Sequence, residues 1–431
     1  MTRVVSYLQT VGGRTFKSLR VRNYRVFFIG QTVSAGGTWM QAVAQEWLVL
    51  TLTNSALAVG VTAALQFLPT LLFGLYGGVL ADRIDRRRLL IATRIAMGTI
   101  AVAFFVLTAT AMINVWIVYA LALALGMAAM IDIPARQAFL SELVPREHVS
   151  NAVSLNSAVM NTARIIGPAA AGILIATLGV SAAFAANALT FVAVIAALLA
   201  LKPAELIARM PQARERGQIR AGLRYVWHTP RLRRTVLLLT VVATAAWNYR
   251  VVLPIIARFE FDAGAKSFGI LYSIMAAGSL VGALVMANRK RPTPLFLVTA
   301  TFAFGALMLT AAFMPTFLTT AIVLVPLGFA SIAFMTTGNA TLQLCASDEM
   351  RGRVMALFGI VFLGTIPVGG PLVGWLSGMF GPRAGFVLGG GVTLAAATVA
   401  AITEIRDRDR TATPATTPKP PRNTPEQLAA A

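Results

Sequence analysis

The sequence predicts an all-α integral membrane protein of twelve transmembrane helices, built as two pseudo-symmetric six-helix halves. Three observations carry this. The chain of 431 residues is 57% hydrophobic and only 12% charged, with a mean hydropathy of +0.74. Its apolar runs reach about twenty residues or more, the length that crosses a hydrocarbon core of about 30 Å. The connections between those runs alternate between rich and poor in Lys and Arg, as in a chain that weaves through a bilayer.

The predicted spans cover 26–51, 56–81, 89–111, 113–133, 152–178, 181–201, 233–256, 267–287, 293–314, 317–340, 353–379 and 383–404. All are read as helices, because an open strand leaves its backbone unsatisfied in lipid. Before the first span, residues 1–25 form a basic, mixed segment, and the first apolar run is too long for the core of a cleaved signal peptide. The connection after span 2 carries Arg83 and Arg86 to Arg88, and the one after span 4 carries Arg136 and Arg146. A dense basic set from Arg209 to Arg234 follows span 6; Arg289, Lys290 and Arg291 follow span 8; Arg351 and Arg353 follow span 10. The connections after spans 1, 3, 5 and 9 carry no Lys or Arg. Arg258 and Lys266 after span 7 are balanced by Glu260 and Asp262, and Arg383 stands alone after span 11. This alternation predicts cytoplasmic N- and C-termini. It divides the chain into a cytoplasmic N-terminus (1–25), a first half (26–202), a cytoplasmic linker (203–232), a second half (233–404) and a polar, Pro/Thr-rich tail (405–431) expected to be disordered. Within the linker, Arg220 to His228 reads as a short amphipathic helix on the membrane surface.

The net charge of +21 on a soluble chain would point to nucleic acid. Here the basic residues sit in short loops, so positive-inside bias accounts for them, and no aromatic-interleaved basic patch supports a nucleic-acid partner. The single cysteine, Cys345, allows no internal disulfide. Neither metal-ligand spacing nor a Gly-rich loop ending in Gly-Lys-Ser/Thr is present, so no metal, no cofactor, no ATP hydrolysis and no enzyme activity is expected. Arg outnumbers Lys and Ala is abundant, as in GC-rich bacterial genomes.

Two landmarks recur at nearly one interval. Gly78-Val79-Leu80 is echoed by Gly282-Ala283-Leu284, followed by Asn288-Arg289-Lys290-Arg291, and Gly167-Pro168 in span 5 is echoed by Gly370-Pro371 in span 11. Duplicated six-helix halves produce this pattern.

Span 2 runs into the charged loop Gly78-Val79-Leu80-Ala81-Asp82-Arg83-Ile84-Asp85-Arg86-Arg87-Arg88. It resembles the loop between helices 2 and 3 of the major facilitator superfamily, with Asp85 in place of the family's second glycine. Span 5 reads Ala163-Arg164-Ile165-Ile166-Gly167-Pro168-Ala169-Ala170-Ala171-Gly172, similar to the helix 5 signature of the superfamily's antiporters, with Ala163 and Ala171 standing for glycine. Asn23-Tyr24-Arg25, Gly30-Gln31, Gly36-Gly37-Thr38-Trp39-Met40-Gln41 and Trp47-Leu48-Val49 further resemble the enterobactin-exporter and drug-efflux permease branch. The resemblance implies the major facilitator fold and a secondary active exporter of amphipathic small molecules, drugs or siderophore-like compounds, in a bacterial cytoplasmic membrane. It implies a monomer that meets its substrate, the lipid bilayer and the coupling ion. With no ATPase motif the energy must come from an ion gradient, and protons fit best because a buried carboxylate can carry one. The competing readings are an uptake permease or lysolipid flippase of the same fold, and a non-transporting membrane sensor or assembly protein.

Ionisable groups inside spans are functional candidates because each is costly there. Glu46 in span 1, beside Gln41 and Gln45, and Arg250 in span 7, beside Asn248, stand one repeat interval apart. In the superfamily both spans border the central cavity, so the pair is expected to face across it as the proton-coupling site, or else to be a static ion pair that orients the halves. Arg164 is either a cavity cation for an anionic substrate or a partner of Glu46. Arg94 is expected to snorkel to the cytoplasm. Asp132 and Arg136 share a helix face and pair; with Gly78, Asp82, Arg83 and Arg86 they form the expected cytoplasmic gate, Asp82 near the start of span 11 by Arg353. Gly167, Pro168 and Gly172 form the antiporter-like motif. His148 and His228 fall in loops and read as solvated.

Overall fold

A computed structural model describes residues 16–207, 218–287 and 293–412. Among them, ten helices are long and apolar enough to cross a membrane by themselves. Span 1 is Arg22–Thr53, span 2 Ala56–Arg83, span 3 Arg86–Ala109, span 4 Val115–Leu140, span 5 Val149–Leu178 and span 6 Val180–Leu199. Span 8 is Ala265–Ala287, span 9 Pro294–Ala312, span 10 Phe317–Cys345 and span 12 Ala384–Ala412. Spans 7 and 11 are each broken. Span 7 consists of Pro230–Ala246, Tyr249–Ile255 and a π turn over Ile256–Glu260; span 11 consists of Asp348–Gly364 and Ile366–Phe380. Span 11 is interrupted and span 1 is weakly hydropathic, which keeps both outside the ten. Span 1 owes its low hydropathy to Gln31, Gln41, Gln45 and Glu46, which it buries.

Local chemistry sets the ends. Asp85 accepts from the Arg88 N–H at 2.8 Å and starts span 3, so the departure from the superfamily's loop pattern is an N-cap. Asn114 caps span 4 in the same way, and Thr316 and Thr319 form a reciprocal capping box on span 10. Gly179 between spans 5 and 6 and Gly381 between spans 11 and 12 both adopt positive φ, +85° and +96°. Each turn needs glycine there, and the two sit at equivalent places in the two halves.

The duplication is visible in the packing. Span 2 packs on span 4, span 1 on span 6 and span 3 on span 6; in the second half span 8 packs on span 10, span 7 on span 12 and span 9 on span 12. The halves meet along two seams, span 2 with span 11 and span 5 with span 8. One apolar cluster runs through both halves, from Val43 and Trp47 to Phe268, Leu271 and Val373. A second, around Tyr24, Phe139 and Leu143, closes the basic end of the first half alone.

The helix found at Gln218–His228 includes the predicted Arg220 to His228. It lies against the start of span 11: the Ser347 N–H donates to the Tyr225 hydroxyl at 3.2 Å, and Gly222 faces Arg353. The rest of the predicted linker's basic run, 208–217, lies outside the described residues, as do the Arg289-Lys290-Arg291 echo and 413–431. Residues 405–412 continue the last helix, where composition pointed to a disordered tail from 405. Glu404 and Arg408 stand one turn apart in sequence, a spacing that favours helix.

Both breaks fall where the sequence analysis placed an unbroken span. In span 7 the Asn248 side-chain amide donates to the Thr244 carbonyl at 2.7 Å. It takes the acceptor that the Asn248 N–H would use in a continuous helix, and the next segment begins at Tyr249. Span 11 breaks at Thr365, two residues before Pro367, whose ring cannot continue the helix past Leu363.

Candidate functional site

The break in span 7 puts Arg250 near the N-terminus of a short helix, Tyr249–Ile255. That end of a helix carries partial positive charge, so a cation there is unfavourable unless an anion compensates. Glu46 supplies the anion. Arg250 Nε donates to Glu46 Oε1 in an ion pair between span 1 and span 7, and so between the two halves. The Glu46 side chain is 2% exposed and that of Arg250 18%. Arg250 also donates to Gln66 Oε1 of span 2 at 3.3 Å and lies 5.8 Å from the Phe67 ring. Glu46 Oε2 and both amide atoms of the neighbouring Gln45 are buried with no hydrogen-bond partner.

Roughly 10 Å along span 1 toward its basic-loop end, at 1.5 Å per residue, a second group gathers near mid-span. Arg164 of span 5 sits over the Trp39 ring, 5.4 Å from its centroid, and its Nε is buried without a partner. The Tyr272 ring of span 8 lies 6.0 Å from Trp39. Back beside Glu46, Trp47 stacks on Phe268 at 6.5 Å. The candidate site therefore gathers five aromatic side chains, Trp39, Trp47, Phe67, Phe268 and Tyr272, with two arginines and one carboxylate, drawn from spans 1, 2, 5, 7 and 8.

The other predicted residues separate from this group. Gln41 accepts from the Asn187 side-chain amide and ties span 1 to span 6 inside the first half. Asn248 is spent on the span 7 break. Asp132 is buried and bonds to Arg94 at 2.9 Å, to Arg136 at 3.4 Å and to the Thr93 hydroxyl at 3.1 Å. Arg94 reaches on to Ser34 at 3.3 Å and Gln31 at 3.4 Å. Arg94 thus does not snorkel to the surface; it is 4% exposed. The Asp132 carboxylate offers it a partner inside the bundle, which a surface position would forgo. Arg86 pairs with Glu142 and donates to the Ala81 carbonyl at 3.2 Å; Gly78 is buried and Arg83 exposed. The Asp82 side chain, and with it the expected approach to Arg353, lies outside the described residues.

The glycine-proline landmarks lie on the seams. A Cβ on Gly172 would come within 2.9 Å of the Ala265 carbonyl oxygen and 3.0 Å of Lys266 Cα, and Gly269 faces the Pro168 carbonyl. The Ser273 hydroxyl donates to the Ile165 carbonyl at 2.6 Å across the same seam. On the other seam Gly374 faces the Ala56 carbonyl and Gly60 the Gly370 carbonyl. Gly167 packs on Trp39, where an added Cβ would lie 2.6 Å from the Trp39 Cβ. Small residues let backbones approach this closely. Tyr272, Gln66 and Phe67 were invisible from sequence as members of the site, since an aromatic or a glutamine in an apolar helix carries no positional signal. Trp39 lay within the stretch that carried the family resemblance.

The chain is 26% identical over 363 residues to the staphyloferrin A transporter of Staphylococcus aureus, covering 83% of this chain and 90% of that protein. It is 28% identical over 370 residues to the enterobactin exporter EntS of Escherichia coli, covering 84% and 86%. It is 28% identical over 375 residues to the multidrug efflux pump Tap of Mycolicibacterium fortuitum, covering 84% and 90%. Among solved structures the nucleoside transporter NupG superposes with a TM-score of 0.71 at 11% identity, over 88% of this chain and 98% of that one; the likeness is one of fold. The transmembrane secretion effector family matches residues 14–429. With that match over nearly its whole length and two six-helix halves joined along two seams, the chain belongs to the transmembrane secretion effector family of the major facilitator superfamily.

Proposed function

We propose that this protein is a secondary active exporter of amphipathic small molecules across the bacterial cytoplasmic membrane, working by alternating access and proton antiport. The observation that carries the reading is the Glu46–Arg250 ion pair between the halves. It joins the two halves directly, so a rocking of one half against the other that opens this contact changes its separation. A carboxylate in a low-dielectric site holds a proton unless a cation stands beside it. Separation of the pair then favours proton uptake and its closure favours release, which couples proton movement to the motion of the halves. Each tenfold change in proton affinity is about 1.4 kcal/mol, comparable to the work in one unit of transmembrane pH difference. The relatives named as siderophore and drug exporters support the direction and the substrate class, and the aromatic lining suits an amphipathic cargo. In this reading both termini and the linker 203–232 are cytoplasmic.

The test uses everted membrane vesicles and a set of amphipathic dyes. Wild-type vesicles are expected to accumulate dye under an imposed pH gradient and to lose it on adding a protonophore; an uptake permease would not accumulate it in this orientation. Glu46→Gln is expected to abolish gradient-driven accumulation while retaining passive exchange of pre-bound dye. Gradient-driven pumping by Glu46→Gln at the wild-type rate would exclude the coupling role.

A further inference from the structure

The geometry points to Arg164 as the anchor for an anionic group, a carboxylate or similar oxyanion, on the transported molecule. This rests on the exporter reading and narrows its substrate class. The sequence left Arg164 with two roles, and the structure separates them. Glu46 is held by Arg250, and among the described residues no carboxylate lies within ion-pair distance of Arg164. The guanidinium rests on Trp39 and its Nε is buried with no hydrogen-bond partner. Arg164 stands fifteen residues into a 30-residue helix, Val149–Leu178, and so near mid-membrane. Arg164 is half-buried, and a cation–π contact alone recovers less than it costs to keep an arginine at that depth. Arg94 and Arg136, by contrast, have a carboxylate partner in Asp132 inside the first half, and Arg250 has one in Glu46 between the halves.

Charge balance points the same way. The Glu46–Arg250 pair contributes no net charge, so Arg164 leaves the candidate site one positive charge in excess. A guanidinium offers a planar fork of donors that matches a carboxylate, and the match is stronger where water is scarce. Trp39 and Tyr272, with rings 6.0 Å apart, stand beside it to receive an aromatic or apolar body. The composite fits an amphipathic anion and disfavours an amphipathic cation.

Three probes that share one ring system and differ in charge test this: 2-naphthoate, 2-naphthalenemethanol and 2-naphthylmethylammonium, each radiolabelled, in equilibrium dialysis against the purified full-length protein. Wild type is expected to bind the naphthoate about tenfold more tightly than the alcohol, the effect of one charge-assisted contact, and the ammonium most weakly. Arg164→Gln is expected to bring naphthoate down to the affinity of the alcohol and leave the alcohol unchanged; Arg164→Lys, which keeps the charge and loses the fork, is expected to fall between. A wild type that binds the ammonium best, or an Arg164→Gln protein with undiminished preference for naphthoate, overturns the assignment. The first of these outcomes needs no variant to fold. Vesicle transport of the same probes separates the two readings. Protonophore-sensitive export of the ammonium but not of naphthoate removes the anion anchor and leaves export standing. Arg164-dependent naphthoate binding with no transport of any probe removes export and leaves the anchor.

Discussion

Asp132 holds the basic end of the first half together. Its carboxylate receives Arg94 from span 3, Arg136 from its own helix and the Thr93 hydroxyl, and it is buried. Removing one member of a buried ion pair leaves the other charge desolvated and unpaired, which costs about 3–5 kcal/mol; replacing both by apolar groups is often close to neutral. Asp132→Asn is therefore expected to lower thermal stability in detergent strongly, and Asp132→Leu together with Arg94→Met and Arg136→Met to recover most of the loss. A thermal-unfolding cycle over Arg94→Met, Asp132→Leu and the two combined measures the Arg94–Asp132 coupling. Equal melting of wild type and Asp132→Asn would show that the carboxylate is not holding the bundle. The sequence exposed the Asp132–Arg136 spacing because four residues on one helix always share a face. It could not show Arg94 beside them, since that contact is set by how spans 3 and 4 rotate against each other. The same limit applies to Glu46 and Arg250: the repeat interval put them at equivalent depth, while the Gln66 and Phe67 contacts of Arg250 come from span 2 and follow no interval.

Helix breaks and seams decide how the halves can move. Spans 7 and 11 are interrupted close to one another, and Gly369 of span 11 faces the Thr244 carbonyl and the Asn248 amide at the span 7 break. Interrupted helices at the meeting of repeats are where transporters place their binding sites, and here the break also puts Arg250 at a helix start. Hydropathy saw twelve spans but no breaks. A window averages over about twenty residues, and the side-chain bond of Asn248 to Thr244 replaces a single backbone bond without changing composition. The glycines were legible as landmarks, but which helix each one faces was not. At the seam of spans 5 and 8, Gly172 has the Ala265 carbonyl and Lys266 where a side chain would go. Gly172→Val is expected to push that seam apart without unfolding either half. Transport should drop at least about tenfold, the effect of roughly 1.4 kcal/mol, while the protein still elutes as a folded species. Lys266→Cys in a Cys345→Ser background should react faster with a thiol reagent when Gly172→Val is added. Near-normal transport by Gly172→Val would show that the seam tolerates separation.

The whole molecule is asymmetric in charge across its thickness and near-symmetric in its two halves, and both properties are legible in the amino-acid sequence. Charge is legible because Lys and Arg are expensive in hydrocarbon and collect in the loops on one side. The duplication is legible because Gly-Pro pairs and loop glycines survive at a fixed interval, and the positive-φ turns at Gly179 and Gly381 repeat it in the backbone. Together they make orientation a measurable property. The basic loops, the linker helix Gln218–His228 and the chain ends are expected on the cytoplasmic side. Single cysteines in a Cys345→Ser background report this directly. Arg224→Cys, exposed on the linker helix, should resist a membrane-impermeant maleimide in intact cells and react once the membrane is opened. Met112→Cys, between spans 3 and 4 at a position 67% exposed, and Lys266→Cys, exposed at the start of span 8, should react in intact cells. Labelling of Arg224→Cys in intact cells would invert the topology. It would leave the direction of transport unchanged, because a proton antiporter moves its cargo opposite to the proton flow whichever way round it sits; it would instead place the basic loops and the expected gate on the outer face.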